Sequence, residues 1–125
     1  GVLAILAAMK GANHVTAIDI DEWAYKNTME NSLYNKCTEI VVKKGGAELI
    51  QNYSFDFVFA NINLNILLND MSAYTNVMNS GSKIIFSGFY TSDVSIINKK
   101  AESLGLYSIG ETEMNKWAAL LYQMR

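Results

Sequence analysis

Apolar residues recur along this chain at two alternating spacings. Residues 2–10 carry them at helical spacing, and Gly11 follows as a residue typical of helix ends. Further along, short apolar and β-branched runs alternate with other stretches of helical spacing. The pattern predicts strands at residues 14–18, 40–42, 55–60, 83–87, 107–113 and 117–122. Strands that alternate with helices favour an α/β fold with a parallel sheet.

The remaining helices are predicted between these strands. Asp21 is expected to be the N-cap of a helix that ends near residue 35, with Thr28 and Leu33 facing inward. Further helices are predicted at residues 47–51 (a single turn), 64–78 and 92–105, with a chain turn at 80–82. Only residues 114–116 separate the last two strands, which is too short for a crossover helix. This pair is therefore predicted to be an antiparallel hairpin.

An apolar run ends abruptly on two carboxylates, Asp19 and Asp21. A carboxylate at the tip of a buried strand is costly unless it meets a partner. In an open α/β sheet that tip faces the ligand crevice, where an acid can accept hydrogen bonds from both hydroxyls of a ribose. Asp19 is therefore predicted to bind a nucleoside-containing cofactor. The alternative is that it caps the following helix, a position for which Asp21 is better placed.

Composition narrows the classes of function. The chain has 125 residues, half of them apolar, and a net charge of -2 with no basic run, so nothing favours a nucleic-acid partner. No apolar stretch is long enough for a membrane span and no signal peptide is found. The single cysteine, Cys37, fits a reducing compartment, and a cytoplasmic location is expected. Because the chain begins inside a helical pattern, we expect a fragment whose first strand is missing.

Five segments of the chain resemble one protein family, in order and over essentially the whole length. GVLAI at residues 1–5 resembles the end of the glycine-rich loop and the first helix of class I methyltransferases, and AIDID at 17–21 resembles their second-strand motif. FDFVFANINLN at 55–65 is similar to one subgroup, the methyltransferases of large-subunit ribosomal protein eleven, known as PrmA. IFSGF at 85–89 and WAAL at 117–120 resemble later strands of that subgroup.

The resemblance implies a Rossmann-like class I fold: a mostly parallel sheet with a C-terminal antiparallel hairpin. It identifies residues 1–125 as a partial catalytic domain whose N-terminal part, together with a separate substrate-docking domain, is absent. It also implies S-adenosylmethionine as cofactor and N-methylation of lysine or terminal amines of a ribosomal protein. The cofactor-binding positions that it implies are Gly1, Asp19, Ile20 and Asn61. Many relatives carry an aspartate near the adenine amine where this chain has Gly46.

Other residues are open to more than one interpretation. Asn61 either donates and accepts hydrogen bonds beside the transferred methyl group or is a turn residue after a buried strand. Phe89 and Tyr90 follow a strand tip and are expected to line the substrate entrance, whereas Trp117 is expected to pack. No catalytic triad or metal cluster is seen in the sequence, and no residue is assigned a catalytic role.

Three alternative functions stay open. The acceptor is either a ribosomal protein or another molecule, such as a different protein or a small compound. A nicotinamide-binding Rossmann domain also places an acid after its second strand, although such domains rarely end in an inserted hairpin. The piece is also expected to bind the cofactor weakly or not at all by itself, because it lacks the glycine-rich loop.

Overall fold

The computed structural model describes residues 2–37 and 40–125, which divide into the units Gly1–Leu49 and Ile50–Arg125. The elements of the first unit are α1 (Val2–Met9), β1 (Val15–Asp19), α2 (Glu22–Tyr34) and β2 (Ile40–Lys44), followed by a 3-10 turn (Ala47–Ile50) whose last residue begins the second unit. Those of the second are β3 (Phe55–Asn61), α3 (Leu64–Asn76), β4 (Met78–Tyr90), a 3-10 turn (Thr91–Asp93), α4 (Val94–Ser103), β5 (Leu106–Met114) and β6 (Trp117–Met124).

In the first unit, β1 and β2 pair in parallel, and Asp19 lies opposite Lys44 at their carboxyl ends. Gly11 follows α1 with a φ of +102°, a backbone conformation that glycine adopts without strain. Asp21 is the N-cap of α2, and its carboxylate accepts a hydrogen bond from the N–H of Trp23 at 3.2 Å. The predicted ends of both helices are therefore confirmed.

The buried face of α2 is more polar than the apolar spacing predicts. Thr28 is buried as expected, but Leu33 is 66% exposed, so its predicted inward position is wrong. Ser32 is buried instead, and its hydroxyl donates to the carbonyl of Thr28. The hydroxyl of Thr28 donates in the same way to the carbonyl of Ala24. Each hydroxyl is thus satisfied by the turn before it, and so can be buried at little cost.

The four strands of the second unit lie in the order β3-β4-β6-β5. β3 and β4 are parallel, while β6 is antiparallel to both β4 and β5. Asn115 and Lys116 connect β5 to β6 with φ values of +51° and +70°, as in a two-residue type I′ turn whose twist matches that of the strands. The predicted α/β class with a C-terminal antiparallel hairpin is confirmed.

β4 is longer than predicted and passes through residues 80–82, which were expected to form a turn. Ser82 is buried there, where its hydroxyl donates to the carbonyl of Phe55 and accepts from the N–H of Asn79. These hydrogen bonds satisfy the buried hydroxyl and attach the start of β4 to β3. The predicted turn is therefore confirmed in part. Residues 80–82 belong to β4, but the β3–β4 register shifts there, Gly81 has a φ of +88°, and regular pairing resumes at Lys83, where the strand was predicted to begin.

The core of the second unit lies between its sheet and the helices α3 and α4. Its fully buried side chains include Leu67, Met71, Ile84, Phe86, Ile97, Leu106, Leu120 and Tyr122. The Tyr122 hydroxyl donates to the amide oxygen of Asn98, which links β6 to α4. This core holds the carboxyl ends of β3 and β4 in place, where the candidate site of the unit lies.

Candidate cofactor site

Asp19 ends β1 with an exposed side chain. Its Oδ1 accepts a hydrogen bond from the N–H of Asp21 at 2.9 Å, and no other hydrogen bond reaches this carboxylate from the described residues. The helix cap is provided by Asp21, so the alternative role predicted for Asp19 is filled by its neighbour. Since a carboxylate has about four acceptor positions, Asp19 can still bind a pair of hydroxyls.

Ile20 follows Asp19 and is 76% exposed. An exposed isoleucine is by itself ordinary. Here it adjoins a carboxylate with unused acceptor positions at the carboxyl end of a parallel strand. An apolar side chain next to a few directed polar groups is what small-molecule sites commonly offer to a flat ring.

A third acid of this segment, Glu22, is engaged in ion pairs. Its carboxylate contacts the ammonium of Lys44 and lies 3.7 Å from that of Lys26. The hydrogen bond and the charge of Lys44 lower the pKa of Glu22. Glu22 therefore belongs to the start of α2, and of the three acids within residues 19–22 Asp19 is the one that can take a ligand.

In the second unit, Asn61 ends β3 opposite Ser87 of β4. The carbonyl of Ser87 accepts a hydrogen bond from the N–H of Ile62 at 2.9 Å, which fixes the backbone just past Asn61. Asn63, rather than Asn61, caps α3, since its Oδ1 accepts from the N–H of Ile66 at 3.1 Å. No hydrogen bond occupies the amide of Asn61 within the described residues, which leaves it able to bind a ligand.

Gly88 makes the close approach of β4 to this segment possible. Its φ is +98°, and the register of β4 shifts between Ser87 and Phe89 as at a β-bulge. A Cβ atom at this position would lie 2.8 Å from Asn61 Oδ1 and 2.9 Å from both the backbone nitrogen and oxygen of Ile62. No role for Gly88 is predicted from the sequence, although a glycine inside an apolar strand signals such an approach.

A cavity of about 620 Å³ lies at this end of the second unit. Its walls combine the ends of β3 and β4 with the β5–β6 hairpin, and its lining includes Asn61, Gly88, Thr112, Met114 and Trp117. This volume is in the usual range for small-molecule sites.

The aromatic residues near this cavity differ from expectation. Phe89 is buried in the core, so its predicted place at a substrate entrance is wrong. Tyr90 is 51% exposed and stacks on Trp117, with ring centroids 4.3 Å apart. Trp117 was expected to pack, yet it is 48% exposed and lines the cavity.

Asp19 and Ile20 belong to the first unit and Asn61 to the second. Gly1, which the resemblance also implies, lies outside the described residues. Among residues 2–37 and 40–125, no group of three or more metal-ligating side chains is gathered. The longest helices described, α2 and α3, have 13 residues each, and none of the described helices can span a membrane.

Comparison with known proteins identifies the family. The family model described as Ribosomal protein L11 methyltransferase (PrmA) matches residues 1–125. The chain belongs to this family. The ribosomal protein L11 methyltransferase of Bacteroides fragilis is 48% identical over 122 residues, which are 97% of this chain and 44% of that protein. The protein of the same name from Porphyromonas gingivalis is 48% identical over 98% of this chain and 42% of its own length.

Solved structures agree with this membership of the L11 methyltransferase family. The ribosomal protein L11 methylase of Lactobacillus delbrueckii subsp. bulgaricus aligns with all of this chain and 66% of its own, at a TM-score of 0.93 and 25% identity. M. jannaschii TYW2, solved in complex with AdoMet, shares the fold at a TM-score of 0.74 and 15% identity, over 98% of this chain and 63% of its own. The chain spans less than half the length of the curated relatives named above.

Proposed function

We propose that this chain is the cofactor-binding part of an S-adenosylmethionine-dependent protein N-methyltransferase. Its proposed substrates are lysine or terminal amines of ribosomal protein L11, the protein after which its relatives are named. The observation that carries the proposal is the exposed Asp19 carboxylate, which keeps free acceptor positions at the end of β1 in a member of this family. A ribosomal-protein substrate would place the reaction in the cytoplasm.

The residues described above fit the chemistry of this cofactor. Asp19 would accept hydrogen bonds from the ribose hydroxyls, and Ile20 would pack against the base. Asn61 would bind near the methionine end, where Gly88 leaves room because it has no side chain. Gly1 is proposed to end the loop around the same part of the cofactor. When bound, S-adenosylmethionine supplies a methyl group on a sulfonium, so this chain mainly contributes binding and orientation.

The acceptor amine has to reach the methyl group uncharged. A cavity that excludes water lowers the pKa of a lysine, because burial disfavours the ammonium form. Trp117, which lines the second unit's cavity, and Tyr90, which stacks on Trp117, supply apolar surface for this purpose. This chain would therefore favour the reaction by desolvation and positioning, with no general base required.

Calorimetric titration of the intact protein with S-adenosylhomocysteine tests the proposal. Asp19→Asn keeps an acceptor for the N–H of Asp21 but removes the charge that holds the ribose, so affinity should fall by about tenfold or more. Asp21→Asn is the matched control, since asparagine is an equally good N-cap, and it should bind normally. Absence of binding, or equal affinity in native protein and Asp19→Asn, would contradict the proposal.

The acceptor is tested separately by methyl incorporation. The intact protein, supplied with labelled cofactor, should transfer methyl groups to ribosomal protein L11. Transfer to another protein or to a small molecule instead would keep the cofactor site and change the substrate. The nicotinamide-binding alternative has no support, because the matched family and the L. delbrueckii structure named above are methyltransferases.

A further inference from the structure

A further carboxylate, that of Glu48, lies at the same strand end as Asp19. The N–H of Gly45 donates to the backbone carbonyl of Asp19 at 2.9 Å, so the chain after β2 is attached directly to the end of β1. Glu48 Oε1 then accepts a hydrogen bond from the N–H of Gly46 at 3.0 Å. The Glu48 carboxylate is thus held one residue beyond the backbone bonded to Asp19, within the first unit.

This carboxylate occupies the space that a side chain at residue 46 would use. A Cβ atom built on Gly46 would lie 2.7 Å from Oε2 of Glu48 and 3.5 Å from its Cδ. Gly46 is not in the left-handed backbone region, so its conformation does not itself require glycine. The carboxylate of Glu48, two residues further along the chain, therefore fills the space that a side chain at residue 46 would need.

The local hydrogen bonds leave this carboxylate able to bind a ligand. The backbone N–H groups of Gly46 and of Glu48 itself lower the pKa of Glu48, so it is an ionised acceptor at neutral pH. Two such donors use only part of its four acceptor positions. Ile20, with 76% of its surface exposed, follows Asp19 at this strand end and offers a ring an apolar surface.

We propose that Glu48 accepts a hydrogen bond from the exocyclic amine of the cofactor's adenine and makes the site selective for that base. The proposal rests on the proposed function, in which Asp19 holds the ribose. Adenine presents a donor at this position, whereas hypoxanthine presents a carbonyl oxygen that a carboxylate repels. A carboxylate beside the base therefore distinguishes the two bases, because burying two acceptors against each other leaves both without a partner.

Titration of the intact protein with S-adenosylhomocysteine and with its inosine counterpart tests this role. The native protein should prefer the adenosine compound. Glu48→Ala should lose about tenfold in affinity for it and little for the inosine compound, because only adenine donates to this carboxylate. Glu30→Gln, an exposed acid on α2, is the matched control and should keep the native preference.

A double variant separates ligand recognition from a purely structural role. In Gly46→Asp/Glu48→Ala the clashing carboxylate is gone, so an aspartate fits at residue 46 and should restore the preference for adenine. A Glu48 that only closes the turn would change thermal stability but leave the ratio of the two affinities unchanged, which would overturn the inference. Failure of the native protein to bind either compound would overturn the proposed function as well, whereas normal binding with an unchanged ratio removes only the role of Glu48.

Discussion

At Gly88 a single missing side chain decides the shape of the candidate site. An alanine there would need an unfavourable backbone conformation, and its Cβ would meet the backbone of Ile62 as well as the amide of Asn61. Backbone atoms cannot rotate away as a flexible side chain can. We predict that Gly88→Ala lowers the free energy of unfolding by about 2 kcal/mol or more, measured by urea denaturation of the intact protein.

Gly110→Ala on β5 is the control for this substitution. Its added Cβ would lie 3.7 Å from the nearest atom, the Cβ of Leu121, and its φ is not positive. A small change in stability is expected there. Equal losses at Gly88 and Gly110 would show that glycine in a strand, rather than the approach to Asn61, sets the cost.

Among helices and strands, the start of α2 shows two neighbouring acids with different tasks. Asp21 caps the helix through the N–H of Trp23, whereas the carboxylate of Asp19 accepts only the N–H of Asp21 among the described residues. Asp21→Ala should therefore lower the free energy of unfolding by about 1 kcal/mol through loss of the cap. Its affinity for S-adenosylhomocysteine, measured where the variant is fully folded, should stay near native.

The contrasting substitution completes this prediction. Asp19→Asn should leave thermal stability almost unchanged, because the amide oxygen still accepts the N–H of Asp21, while ligand affinity falls. If Asp21→Ala lowered affinity and Asp19→Asn lowered only stability, the two roles would be exchanged.

The local sequence pattern predicts best the helices whose ends are fixed by capping residues close to them in the chain. Asp21 at the start of α2 and Gly11 after α1 act through bonds within a few residues, so the sequence suffices to predict them. Leu33 and residues 80–82 follow the local pattern less closely, for two different reasons. The buried face of α2 includes hydroxyls that bond within the helix, and Ser82 bonds to Phe55 on another strand. Apolar spacing carries no signal for a hydroxyl that is satisfied inside a helix or for a contact between two strands.

The same distinction applies to the candidate site. The predicted strand ends bring Asp19 and Asn61 to positions where their side chains can bind a ligand. Glu48 was not predicted because its carboxylate reaches back to Gly46, a side-chain direction that sequence does not specify. Trp117 was assigned to packing from its place at the start of a strand. Its exposure follows from the hairpin turn next to it, which leaves it at the edge of the unit.

At the scale of the whole molecule, two buried tyrosines make the stability of the fold decrease at alkaline pH. Burial raises the pKa of both Tyr74 and Tyr122 to about 12, helped at Tyr74 by Asp70 and at Tyr122 by the nearby charges of Glu111 and Glu102. In the unfolded chain a tyrosine ionises near its ordinary value of about 10. The folded state therefore holds more protons than the unfolded state above that pH, so the free energy of unfolding must fall as pH rises.

We predict that stability is retained below about pH 10 and lost progressively between about pH 10 and 12, which urea denaturation at a series of pH values measures directly. Tyr122→Phe should make this fall shallower, because one of the two protonation differences is removed. It should also cost about 1 kcal/mol at neutral pH, where the hydrogen bond to Asn98 is lost. Tyr74→Phe should reduce the slope in the same way, and the double variant should reduce it further. An unchanged slope in both single variants would mean that neither phenol keeps its proton longer in the folded protein than in the unfolded chain.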